Sequence, residues 1–255
     1  MQTRFRTLIL IPCAGLVALV LLAAPVVALA QSGSFQVSQN GKPVGSASFN
    51  VVSKPTGYDS TSVVHVDMQG LTYQLSKTEQ LSPSNGLLHV QLSAIVNNSA
   101  VNVVAKPDAA QFLLNISANG HASTTRLDAH NFTVFLPDFD PGALETLLAM
   151  AERSNNRDLW AIIPKQAGTI EPIQLVTYPD EKGTLDGKPI MTHHLVATIA
   201  GNTTDLFAGP ENQLLQAELP QQGFALVRNG FVLTPPTRPL APPPAPTTVS
   251  PSPTG

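Results

Sequence analysis

Two stretches of the chain carry a glycine–lysine pair beside a turn residue: "QNGKPVGS" from Gln39 and "LDGKPIMT" from Leu185. Such a pair cradles phosphate only when several glycines precede the lysine and a helix starts after it, so that backbone N–H groups point at the anion. Here Pro43 and Pro189 follow the lysines, and strand-like sequence follows the prolines. Asn40-Gly41 and Asp186-Gly187 are instead hairpin signals, because both residue types tolerate positive φ. The sequence therefore predicts two tight turns and no nucleotide site.

His193-His194 is the next pair with possible chemistry. Adjacent strand residues point to opposite faces, so the two rings cannot hold one ion together. A zinc site needs three or four protein ligands, and His65, His89, His121 and His130 each stand alone in strand-like sequence. No metal site is predicted. Asp138 and Asp140 form a D-x-D pair of the kind that binds calcium or flanks a glycosidic bond. Asp140 also stands directly before Pro141, where a helix N-cap belongs, which favours a structural reading. No G-x-S-x-G elbow is present, and the single cysteine is Cys13. Local signatures of nucleophilic catalysis are thus missing, although a triad assembled in space leaves no local trace. No catalytic residue and no cofactor is assigned. Trp160, in "DLWAIIPK", offers a ring that either stacks on a ligand or fills the core.

Most of the chain that must position these groups has a period of two. "SFQVSQ", "GSASFNVV", "TSVVHVDMQ", "LTYQLSK" and "LLHVQLSAI" alternate apolar and polar residues, with Leu71, Tyr73 and Leu75 on one face. Turn residues such as Gln69-Gly70, Asn85-Gly86 and Asn119-Gly120 separate the runs. That pattern predicts an antiparallel meander with one buried and one wet face. One segment differs: in "DFDPGALETLLAMAERSNN", Leu144, Leu147, Leu148 and Ala151 fall at i, i+3, i+4 and i+7, the signature of an amphipathic helix. Glu145, Glu152 and Arg153 lie off that stripe. Such a short helix is marginal alone, so its stripe must pack against the sheet. The predicted fold is mainly β, a long curved antiparallel sheet (half-barrel) with one short helix packed on the concave face; a β-sandwich is the alternative.

The two ends read differently from the middle. Residues 1–30 carry Arg4 and Arg6, then an uncharged apolar run ending in Ala28-Leu29-Ala30. This is the pattern of a signal peptide cleaved after Ala30; an uncleaved membrane anchor is the alternative. Export to the periplasm or medium follows, with a single β-rich domain over residues 31–233. From Thr234 to Gly255 the chain is dominated by proline, which disfavours both strand and helix and gives a solvated tail, a spacer or an attachment to an envelope partner. The chain has 14 Lys+Arg against 17 Asp+Glu, so it lacks the basic footprint of a nucleic-acid binder. Charged residues make up 12% of it, about half the usual share.

The order strand–"NGKPVG"–strand, long meander, short helix and closing "TTDLFAGPENQLLQAELP" resembles exported bacterial proteins of unknown function built as a curved half-barrel. The closing strands carry the likeness in Asp205-Leu206-Phe207 and in Leu214-Leu215 through Leu219. More remotely the layout is similar to the periplasmic lipoprotein-carrier (LolA-like) half-barrels. Their concavity binds lipid chains, so the resemblance implies a hydrophobic ligand or lipid as partner. The shared motifs are structural and bring no site residues with them. The leading expectation is a non-catalytic binding or carrier protein, with Leu144, Leu147, Leu148, Met150 and Trp160 as lining. An envelope scaffold and a secreted hydrolase are the alternatives.

Overall fold

Alternating apolar residues form strands wherever one face can be buried, and the computed structural model shows how that burial is achieved. It describes residues 31–155, 157–165 and 167–234; the signal-like segment 1–30 and the proline-rich stretch from 235 onward lie outside the described residues. The first eight strands form a continuous meander: β1 (Gln31–Gln39), β2 (Lys42–Lys54), β3 (Gly57–Met68), β4 (Leu71–Leu81), β5 (Leu87–Val96), β6 (Ser99–Asp108), β7 (Gln111–Ala118) and β8 (His121–Asp128). Then come β9 (Phe132–Phe135), the helix α1 (Pro141–Ser154) and β10 (Leu159–Ile163). The chain closes with β11 (Thr169–Leu185), β12 (Lys188–Ile199), β13 (Asn202–Ala208), β14 (Leu214–Leu219), β15 (Phe224–Arg228) and β16 (Phe231–Thr234). Thr234 pairs with Lys182, so the domain runs one residue past its expected end at Leu233.

All sixteen strands belong to one sheet. The order is β8-β7-β6-β5-β4-β3-β2-β1-β15-β14-β13-β12-β11-β10-β9, with β16 paired to β11 off this path. The mainly β half-barrel is thus what forms, and the sheet stays open. Its two end strands, β8 and β9, are consecutive in the chain, yet they are not paired with each other. The β8 edge instead touches the connection before β11, where the Thr125 hydroxyl donates to the Ala167 carbonyl at 2.7 Å. One pair departs from the expected antiparallel pattern: β9 and β10 run parallel. Parallel neighbours need a crossover, and α1 is that crossover.

Asp140 caps α1 as predicted. Its Oδ1 accepts hydrogen bonds from the Gly142 and Ala143 N–H groups at 2.9 and 3.2 Å. Pro141 opens the helix, and Asn155 closes it at φ 51°. The Leu144, Leu147, Leu148 and Ala151 stripe is buried, but so are Ala143, Glu145, Thr146 and Met150. Burial on nearly every side marks a helix inside a core, not on a surface. The concave face supplies that core, with β2, β3, β9, β10 and β14 all touching the helix. Fully burying each leucine is worth roughly 1.5–3 kcal/mol. Glu145, expected off the stripe, is therefore enclosed, while Glu152 and Arg153 are exposed.

The opposite face also buries some residues, which alternation alone does not foretell. On β13, Leu206 and Ala208 join the main core, whereas Phe207 packs with Leu215, Phe231 and Leu233 in a second small cluster.

Both glycine–lysine stretches are hairpin turns. Asn40 and Gly41 have φ of 49° and 76°, and Asp186 and Gly187 have 50° and 74°. Each tip docks on a glycine flanking β15. Asn40 N–H donates to the Gly223 carbonyl at 2.7 Å, and Asp186 N–H donates to the Gly230 carbonyl at 2.9 Å. Gly230 sits at φ 84°, and a Cβ there would lie 2.1 Å from Asp186 Oδ1. Gly230→Ala should destabilise the fold by about 1–2 kcal/mol. The loss should exceed that of Gly187→Ala, whose Cβ would meet nothing, when both are compared by thermal denaturation.

Candidate functional site

The helix covers only part of the concave face. Beside it lies a cavity of about 480 Å³, within the range of small-molecule sites, lined by Leu71, Tyr73, Leu92, Ala94, Val96, Val101, Val103, Ile116 and Ala118 from β4 to β7. Pro137 to Phe139 and Pro164-Lys165 form its opposite wall. The strand residues are mostly small or β-branched, so the floor leaves space that longer side chains would fill.

Phe139 gives that wall its shape. It stands at φ 57°, which is costly for a bulky side chain and persists only where packing enforces it. Its ring meets Tyr73 edge-on at 5.9 Å and Phe224 at 4.7 Å. The Tyr73 hydroxyl reaches the Asp138 carbonyl at 3.4 Å. Burial, then the charges of Asp138 and Asp140, push the Tyr73 phenol well above its ordinary value, so it stays neutral. At the rim, Lys165 Nζ lies 2.8 Å from Asp138 Oδ1, with both side chains largely open to solvent. An exposed pair of this kind holds its lysine weakly.

The five residues expected from sequence to line a site are dispersed. Leu144 borders a smaller cleft of about 130 Å³, shared with Asp138, Phe139 and Lys165. Leu147, Leu148 and Met150 lie in the packed core. Trp160 is half-buried; it stacks on His130 at 3.6 Å between ring centres, and its Nε1–H donates to Asp158. None of the five borders the 480 Å³ cavity. The signal for the lining of this cavity was the run of small and branched residues on the inward parity of β5 and β6.

Three groups of buried polar residues lie elsewhere in the fold, none of them lining this cavity. Lys77 Nζ lies 2.9 Å from Glu79 Oε2 and 2.7 Å from Asp140 Oδ2, with all three side chains fully enclosed. Burial opposes the lysine charge, but Asp140 and Glu79 outweigh it and hold the ammonium more strongly than usual. Burial raises the Glu79 carboxyl, against the pull of Lys77. Parity could have found this pair, since Lys77 and Glu79 share the inward face with Tyr73, Leu75 and Leu81.

The second group surrounds His194. Its Nε2 is 2.7 Å from Asp205 Oδ1, and its ring stacks on Phe207 at 4.6 Å. His193 points outward to Asp180, so the two histidines face oppositely as predicted. The buried His194–Asp205 dyad borders neither cavity.

The third is Glu145, whose carboxylate accepts from the Leu214 N–H at 2.7 Å and from the Gln31 amide. Burial raises it to about 7, against the opposing pull of Leu214 N–H, Arg228 and Gln31.

Comparison with family models, with curated proteins and with solved structures finds no match to the chain. Among the described residues, no group of three His, Cys, Asp or Glu side chains could hold a metal ion, and no helix is long and apolar enough to cross a membrane.

Folded Glu145 binds its proton more tightly than the unfolded chain does. Its contribution is therefore most favourable below the ordinary carboxyl value and falls as pH rises toward 7, by on the order of 3 kcal/mol. Glu145→Gln should raise the thermal midpoint at pH 8 and flatten its decline between about pH 5 and 7. Thermal melts across that range check this.

Proposed function

We propose that the protein is an exported, non-catalytic carrier or binding protein for a hydrophobic ligand such as a lipid chain. The apolar cavity between β4–β7 and the Pro137–Phe139 wall is the observation that carries this reading. It is concave, of ligand size and lined mainly by apolar side chains, with Ser99, Asn119, Asp138 and Lys165 as its polar members, as small-molecule sites commonly are. The weakly held Lys165 is placed to meet an anionic head group there. In this reading residues 1–30 direct export, and the proline-rich stretch acts as a spacer or attachment to an envelope partner. The layout resemblance to lipoprotein-carrier half-barrels points the same way.

Binding of an uncharged apolar fluorescent dye, and its displacement by a long-chain fatty acid, tests the proposal. The unmodified protein should enhance the dye's fluorescence, and the fatty acid should reverse this. Ala94→Trp, which fills the floor, should weaken both by at least about tenfold, or 1.4 kcal/mol. Lys165→Glu should weaken the fatty acid while sparing the dye. A protein that binds neither probe, or an Ala94→Trp variant that binds both undiminished, would rule the cavity out.

A further inference from the structure

The enclosed Lys77, Glu79 and Asp140 form a reactive arrangement as well as an ion cluster. Lys77 Nζ sits 2.7 Å from Asp140 Oδ2, yet Oδ2 makes no hydrogen bond of acceptable geometry. The contact is therefore oblique to the direction a stable ammonium–carboxylate bond prefers. The other oxygen, Oδ1, is held by the Gly142 and Ala143 N–H groups at the start of α1. Two backbone donors on one carboxyl oxygen, at the positive end of a helix, are the elements of an oxyanion hole. Glu79 Oε2 touches the same lysine nitrogen at 2.9 Å. Its other oxygen, Oε1, has no partner, and neither do the buried Ser60 and Ser62 hydroxyls on the facing strand.

We propose that Lys77 and Asp140 become joined by an internal amide bond that the folded chain forms itself, with Glu79 as proton relay. The ammonium first passes one proton to Asp140 Oδ2, turning a buried ion pair into a neutral amine and a neutral acid. Asp140 and Glu79 hold the resting ammonium firmly, so the reaction runs through the less populated neutral amine and acid, which exclusion of water brings within reach because burial penalises charge. The Nζ lone pair then attacks Cγ, and the carbonyl π pair moves onto Oδ1, where the two N–H groups receive the charge. Glu79 takes a second proton from the nitrogen and delivers it to Oδ2. The Cγ–Oδ2 bond breaks, Oδ2 leaves as water, and the carbonyl re-forms. One proton stays on the amide nitrogen, Glu79 ends as it began, and no oxidant, reductant or cofactor enters. The Ser60 and Ser62 hydroxyls can hydrogen-bond the released water, and Ser62 Oγ lies so close to α1 that a Cβ on Gly142 would be 2.4 Å from it. Fixing amine and acid in contact supplies the high effective concentration that amide formation needs.

The bond would tie β4 to the start of α1. The described residues contain no cysteine, so an amide is the covalent tether open to them where other exported proteins use a disulfide.

Tryptic peptide mapping of the purified full chain by mass spectrometry decides the matter. The expected product is a branched peptide with two N-termini, joining the Lys77 and Asp140 segments although the chain is cut after Arg126, with no cleavage after Lys77. Recovery of both segments as linear peptides, with cleavage after Lys77, overturns the proposal whatever any variant does. Lys77→Arg should give only linear peptides. Glu79→Gln keeps the shape of the relay but not its basicity, and should yield linear Lys77 and Asp140 peptides from protein whose circular dichroism is unchanged. A branched peptide persisting in Glu79→Gln at the unmodified yield would remove Glu79 from the reaction.

Discussion

Burial of one helix on nearly every side is the constraint from which the rest of the structure follows. An antiparallel sheet with one apolar face must cover that face, and its natural twist lets it curl to do so. The curl closes only as far as α1 fills it. Where Leu147, Leu148 and Met150 end, β2, β3, β9, β10 and β14 are packed against the helix. Where the helix does not reach, β4 to β7 leave a cavity. Fold and candidate site are thus two consequences of a helix shorter than the sheet that wraps it.

The same constraint explains the buried charges. A helix driven into a core takes its N-terminus with it, and free N–H groups there require a partner. Asp140 satisfies two of them but carries a negative charge inside, which Lys77 balances. Glu79 then makes the cluster one carboxyl richer than its lysine can match, and burial raises it. Glu145 meets a similar fate on the next turn, where the Leu214 N–H and the Gln31 amide are its partners. In a chain with only 12% charged residues, several of those charges are spent inside rather than on the surface.

Strands and turns were legible because each depends on neighbours in sequence. Alternation in "LTYQLSK" assigns Tyr73 and Leu75 inward, and Asn-Gly and Asp-Gly turn as their φ tolerance requires. The helix and its cap were equally local. The parallel β9–β10 pair was not legible, since four or five apolar residues read alike in either direction. Glu145 was misplaced because its stripe position is outward only if one side of the helix meets water. The lining of the cavity escaped for a related reason. Alternation says which side chains point inward, so it finds Ala94 and Val103, but not whether anything packs on top of them. Lys77 and Glu79 share the inward parity of Tyr73 and Leu75, so the same alternation could have placed a charge pair on the buried face.

The most direct test of the account is native mass spectrometry, with lipid extraction, on protein isolated without detergent from its own host. The account predicts an added mass that extracts into organic solvent and is identified as an apolar, chain-bearing molecule. A single species at the apoprotein mass with no extractable lipid would contradict it.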